Sequence, residues 1–95
     1  MVLRTYAEED ITVADSSIGL TLTNILTAPP PERVELFVED APIRIRVDGS
    51  APTSSVGEIL HPLDQYILQN AGEAYRFRAI RIGGTSATIR ARYLR

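Results

Sequence analysis

Ninety-five residues, with ten basic side chains against twelve acidic ones and no cysteine, are enough for one domain (1–95) and exclude a disulfide framework or a thiolate metal site. A chain of this length buries only about 60–65% of the surface its unfolded form exposes, so the core is thin and stability rests on packing and on partner subunits. All ten basic residues are arginine. Arg4 and Arg33 face eight acids in residues 1–40, while residues 41–95 hold eight arginines against four acids.

That asymmetry pairs acidic strands with basic ones inside the fold, or makes complementary surfaces on neighbouring subunits. Exclusive use of arginine reflects either a GC-rich coding genome or selection for planar, bidentate contacts to carboxylate and phosphate. Residues 1–10 lack the apolar stretch of a secretory signal, and no run of about 18 apolar residues spans a membrane. The expectation is a protein made in a cytoplasm and, if it acts outside, carried there on a particle assembled in that compartment.

In chain order, Val2–Tyr6 reads as a short strand or a docking arm, so residues 1–10 are a candidate N-terminal extension, with Ala7–Asp10 as a polar break. Ile11-Thr12-Val13 alternates, and Ala14–Ser17 is turn-forming. Ile18 to Leu26 is rich in threonine and branched aliphatics, which suits a half-buried strand. Pro29-Pro30-Pro31 imposes an extended linker. Val34–Glu39 alternates with Val34, Leu36 and Val38 inward. Asp40-Ala41-Pro42 then turns the chain into Ile43–Val47, and the two strands read as a hairpin.

Beyond the loop Asp48–Ser55, Val56–Leu60 and Gln65–Gln69 are short strands separated by the turn His61-Pro62-Leu63-Asp64. Tyr75–Ile82 and Ala87–Leu94 flank Gly83-Gly84, the clearest hairpin signal in the chain. A phase slip within Tyr75–Ile82 calls for a bulge near Ala79, or for burial of both faces there. No segment has a helical period. Seven to eight short strands with close turn signals predict an all-β fold without significant helix, a small antiparallel β-sandwich or a jelly-roll-like barrel.

Little here is catalytic. His61 is the lone histidine and precedes a proline in a turn, so a metal site is not expected. Ser16-Ser17 and Ser54-Ser55 are loop serines, Asp48 and Asp64 have no sequence relation that pairs them, and no glycine-rich loop leads into a helix. The reading is a non-enzyme without cofactor. What stands out is period-two alternation of arginine with apolar residues in Ile43–Val47, Tyr75–Arg78 and Ile89–Tyr93. It predicts strands with one buried face and one face of guanidinium groups. Arg44, Arg46, Arg76, Arg78, Arg90 and Arg92 are therefore candidate protein-contact residues. Nucleic acid is a poor partner for them, because Tyr75, Phe77 and Tyr93 alternate inward instead of offering stacking platforms, and the isoelectric point is acidic.

The run Ile45-Arg46-Val47-Asp48-Gly49-Ser50-Ala51-Pro52-Thr53, with Gly57, Leu60 and Phe77-Arg78-Ala79-Ile80-Arg81 downstream, resembles small virion proteins of tailed bacteriophages. In those proteins an arginine strand leads into Asp-Gly-x-Ala-Pro-Thr, then a glycine, then a late Phe-Arg-x-Ile-Arg strand. The likeness covers roughly residues 34–93. It departs at Leu63-Asp64, where a glycine-containing turn is expected. The resemblance implies a structural β-domain on a phage particle, of the capsid decoration or cement type. It would be a homo-oligomer (a trimer about a local symmetry axis) bound to the major capsid protein through its N-terminal residues and arginine face. The alternatives are a tail, neck or head-fibre component and a sandwich that binds carbohydrate or a cell surface.

Overall fold

Alternation in Arg33–Val38 buries Val34, Leu36 and Val38 to within 2% of full burial, and the same period recurs in Ala87–Leu94 through Ala87, Ile89, Ala91 and Tyr93. These two strands form the centre of the larger of two sheets. The computed structural model describes residues 3–95. Its strands are β1 (Thr5–Val13), β2 (Arg33–Val38), β3 (Ile43–Arg46), β4 (Glu58–Leu60), β5 (Gln65–Leu68), β6 (Arg78–Arg81) and β7 (Ala87–Leu94), with one-turn helix α1 (Leu22–Ile25) and short helix α2 (Ala71–Arg76). One sheet has the order β1-β7-β2-β5 and the other β4-β3-β6, all neighbours antiparallel. The two inner faces enclose a core that includes Ile11, Val13, Leu36, Ile43, Ile45, Leu68, Phe77, Ile89 and Tyr93. The architecture is the all-β, two-sheet arrangement that the strand periodicity predicts.

Connectivity differs from the reading of the sequence in both hairpins. β2 does not pair with β3, nor β6 with β7; each link instead crosses from one sheet to the other. At the first crossing Glu39 N–H donates to the Thr88 carbonyl at 3.0 Å, and the Asp40 carboxylate accepts the Thr88 N–H at 2.8 Å. Ala41 is buried, and Pro42 has no N–H to extend a ladder. The chain is thus tied to β7 while it turns under the core. At the second crossing the five residues Ile82–Ser86 reach across the roughly 10 Å between stacked sheets. A Gly-Gly link permits either geometry, and the arch lets β7 take a central place in the larger sheet while β6 pairs with β3 in the other.

The first strand is also longer than its composition indicates. Thr5–Val13 pairs with β7 throughout, with an irregularity between Thr5 and Ala7. The expected polar break at Ala7–Asp10 therefore lies inside a strand. Acidic residues disfavour strands locally, but Glu8 sits opposite Arg92 and Asp10 opposite Arg90, and cross-strand charge pairs offset the propensity. Of the candidate N-terminal arm, Met1 and Val2 lie outside the described residues, and Thr5–Asp10 is part of the sheet.

Two segments read as strands contain short helices. Ile18 makes a single two-bond bridge to Ala79, and Leu20 is buried, but Leu22–Ile25 turns as a helix with Leu22 and Leu26 facing out. Within Tyr75–Ile82 only Arg78–Arg81 is strand. Asn70 caps α2 by accepting the Glu73 N–H at 2.9 Å, and Glu73 reaches back to the Gln69 N–H at 2.7 Å, a variant of the capping box. The ladder of β6 has no bulge: Arg78 and Ile80 share its outer face, where Ile80 is half-buried beside Arg44, and Ala79 is buried on the inner one, so both faces are covered there. Tyr75, expected inward, lies on α2 and is 51% exposed.

Candidate functional site

The six candidate arginines do not share one face. Arg90 and Arg92 point outward from β7 in the four-stranded sheet, flanked by acids on β1, on β2 and just beyond β2. Arg90 Nε lies 3.2 Å from Asp10 and 3.6 Å from Glu39, while Arg92 reaches Glu8 at 3.4 Å and Glu35 at 3.5 Å. Arg92 also stacks over Phe37, 5.5 Å from the ring centroid. The acidic first part of the chain and the basic last part therefore meet inside one sheet and stitch β1, β7 and β2 together. Each exposed pair is weak by itself, and the sharing of each arginine between two acids makes a network of them. Little net charge is left on this face for a partner.

Arg44 and Arg46 project from β3, and Arg78 from β6, onto the outer face of the three-stranded sheet. Arg46 holds Asp48 at 2.6 Å, and Asp48 accepts the Ser50 N–H at 3.0 Å, which closes the turn at Gly49 (φ 92°). The Asp48 carboxyl is held down to about 2, first by the Arg46 hydrogen bond and then by the Ser50 amide. Arg44 donates to the carbonyls of Ser54 at 3.0 Å and Gly57 at 2.8 Å. Pro52 is buried beneath the loop, and a backbone pair between Thr53 and Val56 closes its tip. Two successive outward arginines thus fold the Asp-Gly-Ser-Ala-Pro-Thr segment back over their own strand.

Arg76, at the end of α2, donates to the Val47 carbonyl at 3.3 Å. The Arg78 guanidinium lies over Gly19 and donates to the Phe77 carbonyl at 2.8 Å. Among the described residues, Arg44, Arg76 and Arg78 have no carboxylate within 4 Å. A carbonyl satisfies an N–H without neutralising the cation, so this face keeps positive charge. Ile59 and Ile80 lie beside Arg44 across the ladder, and Ile59 and Val56 are exposed. The result is a mixed basic and apolar surface around a rigid loop.

A second polar cluster escaped the reading of the sequence. Glu9 shares its strand parity with the buried Ile11 and Val13, so its carboxylate points inward. It accepts the Thr21 hydroxyl at 2.5 Å, the Asn24 amide at 3.0 Å and the Tyr93 hydroxyl. Tyr6 completes the group by donating to the Asn24 carbonyl at 2.7 Å. Burial pushes the Glu9 carboxyl up, but its three donors outweigh this and hold it below its ordinary value. A carboxylate saturated in this way anchors α1 to β1 and β7. The signal was available in the sequence: an acid two residues before Ile11 on an apolar face.

The turn that departs from the virion-protein pattern is distinctive too. Leu63 adopts φ 73° and is 89% exposed. Its N–H donates to the Val38 carbonyl at 2.8 Å, and the His61 N–H donates to the Asp64 carboxylate at 2.8 Å. Among the described residues no three His, Cys, Asp or Glu side chains cluster as metal ligands, and no helix is long and apolar enough to cross a membrane. In comparisons with known proteins the chain matches no family model, and no curated protein or solved structure is significantly similar to it.

Proposed function

We propose that this chain is a non-enzymatic structural protein of a tailed-bacteriophage particle, a capsid decoration or cement protein that binds the major capsid protein as a homo-oligomer. The observation that carries this reading is the loop that Arg44 and Arg46 fold over the outer face of the three-stranded sheet. The residues that resemble phage virion proteins, from Ile45 to Thr53 with Gly57, are the ones that build this element, so the resemblance corresponds to a three-dimensional unit. The retained charge of Arg44, Arg76 and Arg78, beside exposed Ile59 and Val56, suits an acidic protein surface with apolar patches. Carbohydrate recognition is disfavoured by the scarcity of rings: of six aromatic side chains only Tyr75 is exposed.

Because Arg44 and Arg46 also hold the loop, charge is best introduced at exposed positions that bear little of it: Ala51, and Ser55, whose hydroxyl makes only a 3.4 Å contact with that of Thr53. The double variant Ala51→Glu, Ser55→Glu is expected to keep the wild-type melting temperature within a few degrees. Its co-sedimentation with empty, expanded capsids of the encoding phage should weaken roughly tenfold or more. Binding of wild type should also fall as salt rises. Failure of wild type to pellet with any shell, or specific retention on a glycan surface, overturns the proposal; co-purification with isolated tails transfers the protein to the tail, neck or head fibre.

A further inference from the structure

Leu63 combines two costs that a turn residue normally avoids. Among the described residues it is the one non-glycine with positive φ, and it is the most exposed large apolar side chain. Glycine or asparagine would adopt φ 73° more readily and would put no hydrocarbon into water. Strained backbone persists where surroundings over-determine it, and it concentrates at ligand clamps and contacts. Here the hydrogen bonds to Val38 and Asp64 hold the turn rigid, so the side chain is presented with little left to order on binding. Asp64 lies beside it, and Glu39 and Asp40 follow the strand end to which it is bonded.

At the other edge of the three-stranded sheet lies a cleft of about 390 Å³ between the folded-back loop and β6. Pro52, Ile80 and Ile82 supply apolar wall, and Asp15 and Arg81 line the same cleft, the guanidinium having no carboxylate within 4 Å among the described residues. β4 leads into the Leu63 turn and β6 borders the cleft, and these are the two edge strands of the sheet. An apolar knob next to Asp64 therefore sits at one edge, and an apolar socket that holds Arg81 as well as Asp15 at the opposite edge.

We propose that Leu63 docks into the Pro52–Ile80–Ile82 cleft of a second copy of this chain, with Asp64 facing Arg81. Such an interface is heterologous. Repeated, it closes a ring when the rotation between copies divides a full turn, and otherwise runs on as a fibre. The inference does not rest on the virion reading, because it concerns self-association alone.

Two variants separate knob from socket. Leu63→Gly removes the side chain and relieves the backbone. Gly83→Glu puts a charged side chain into the cleft margin from a position where an added Cβ meets nothing within 4 Å. Sedimentation velocity of the purified wild type, at rising concentration and low salt, should show self-association, and each variant alone should associate at least tenfold more weakly. An equimolar mixture of the two should form a one-to-one dimer, because one intact knob and one intact socket remain. A wild type that stays monomeric, a Leu63→Gly chain that associates like wild type, or a mixture without dimer each overturns the proposal. Thermal melts of both variants, expected at or above wild type for Leu63→Gly, verify that the loss comes from the interface and not from unfolding.

Discussion

Gly57 is the position where a single methyl group should do the most damage. Its φ of 130° lies where side-chain-bearing residues are strained, a cost of about 1–3 kcal/mol. An added Cβ would also stand 2.9 Å from the Ile45 carbonyl oxygen, 3.2 Å from Pro52 Cβ and 3.3 Å from Arg44 Cβ. The first and third obstacles belong to the central strand β3 and the second to the buried Pro52 of the loop that Arg44 holds, so none can swing away cheaply. Crowding of this kind adds about 1–3 kcal/mol. Gly57→Ala should therefore destabilise by about 2–6 kcal/mol, a large part of the 5–15 kcal/mol typical of a whole domain. At about 4–8 °C per kcal/mol for a domain of this size, the melting temperature should fall by at least about 8 °C. Urea unfolding and thermal melts measure it, with Gly83→Ala as the control: open space around that residue predicts a change within about 0.5 kcal/mol. If Gly57→Ala melts within about 3 °C of wild type, the account of the loop as a close-packed element is wrong.

Other expectations concern titration and the inward carboxylate. Glu9, held below its ordinary value of 4.5, contributes stability that is fully present above that pH and is lost as pH falls through its lowered value. Glu9→Gln should flatten this part of the acid limb in urea titrations from pH 6 to 2, and superimposable curves would refute the role. Burial, reinforced by donation to Glu9, pushes the Tyr93 phenol up, so it favours the fold below pH 10 and that contribution is lost as pH rises further. In a spectrophotometric titration Tyr93 should be the last of the four tyrosines to ionise, and only with unfolding; four tyrosines ionising together in folded protein would contradict this. The Ser50 amide resonance should titrate with a midpoint of about 2 as Asp48 protonates, and Asp48→Asn should abolish the transition. Asn70→Ala should cost about 1 kcal/mol through loss of the α2 cap, measured by urea unfolding.

Much of the fold was legible because burial obeys period two. Val34, Leu36, Val38, Ile43 and Ile45 were readable as inward, and Phe77 and Tyr93 as core. Strand partners were not legible, since a short polar link carries no mark that tells a hairpin from an arch. Asn70-x-x-Glu73 was a readable helix start, overshadowed by the arginine alternation of Tyr75–Arg78. The arginines were recognisable as outward-facing but not as belonging to separate surfaces. That depended on β7 inserting between β1 and β2, a choice made by the core. Nor did the pattern reveal that Arg44 and Arg46 bind the loop they precede, because both bonds from Arg44 go to carbonyls, which every residue carries.

The placement of β7 between β1 and β2 has a consequence for how the molecule forms. Glu8 and Arg92 are 84 positions apart, yet they lie side by side in the ladder that joins the first strand to the last. During synthesis β1 and β2 wait, neither paired with the other, until the strand that separates them is made. The larger sheet can close only after Ala87–Leu94 is available, so folding is dominated by distant encounters and is slow for so small a chain. Until then the waiting strands expose unpaired edges, and the alternating charges of β1 help to keep those edges from joining the wrong neighbour. A chain cut before residue 87 would lose a central strand and both its seams, not a dispensable tail.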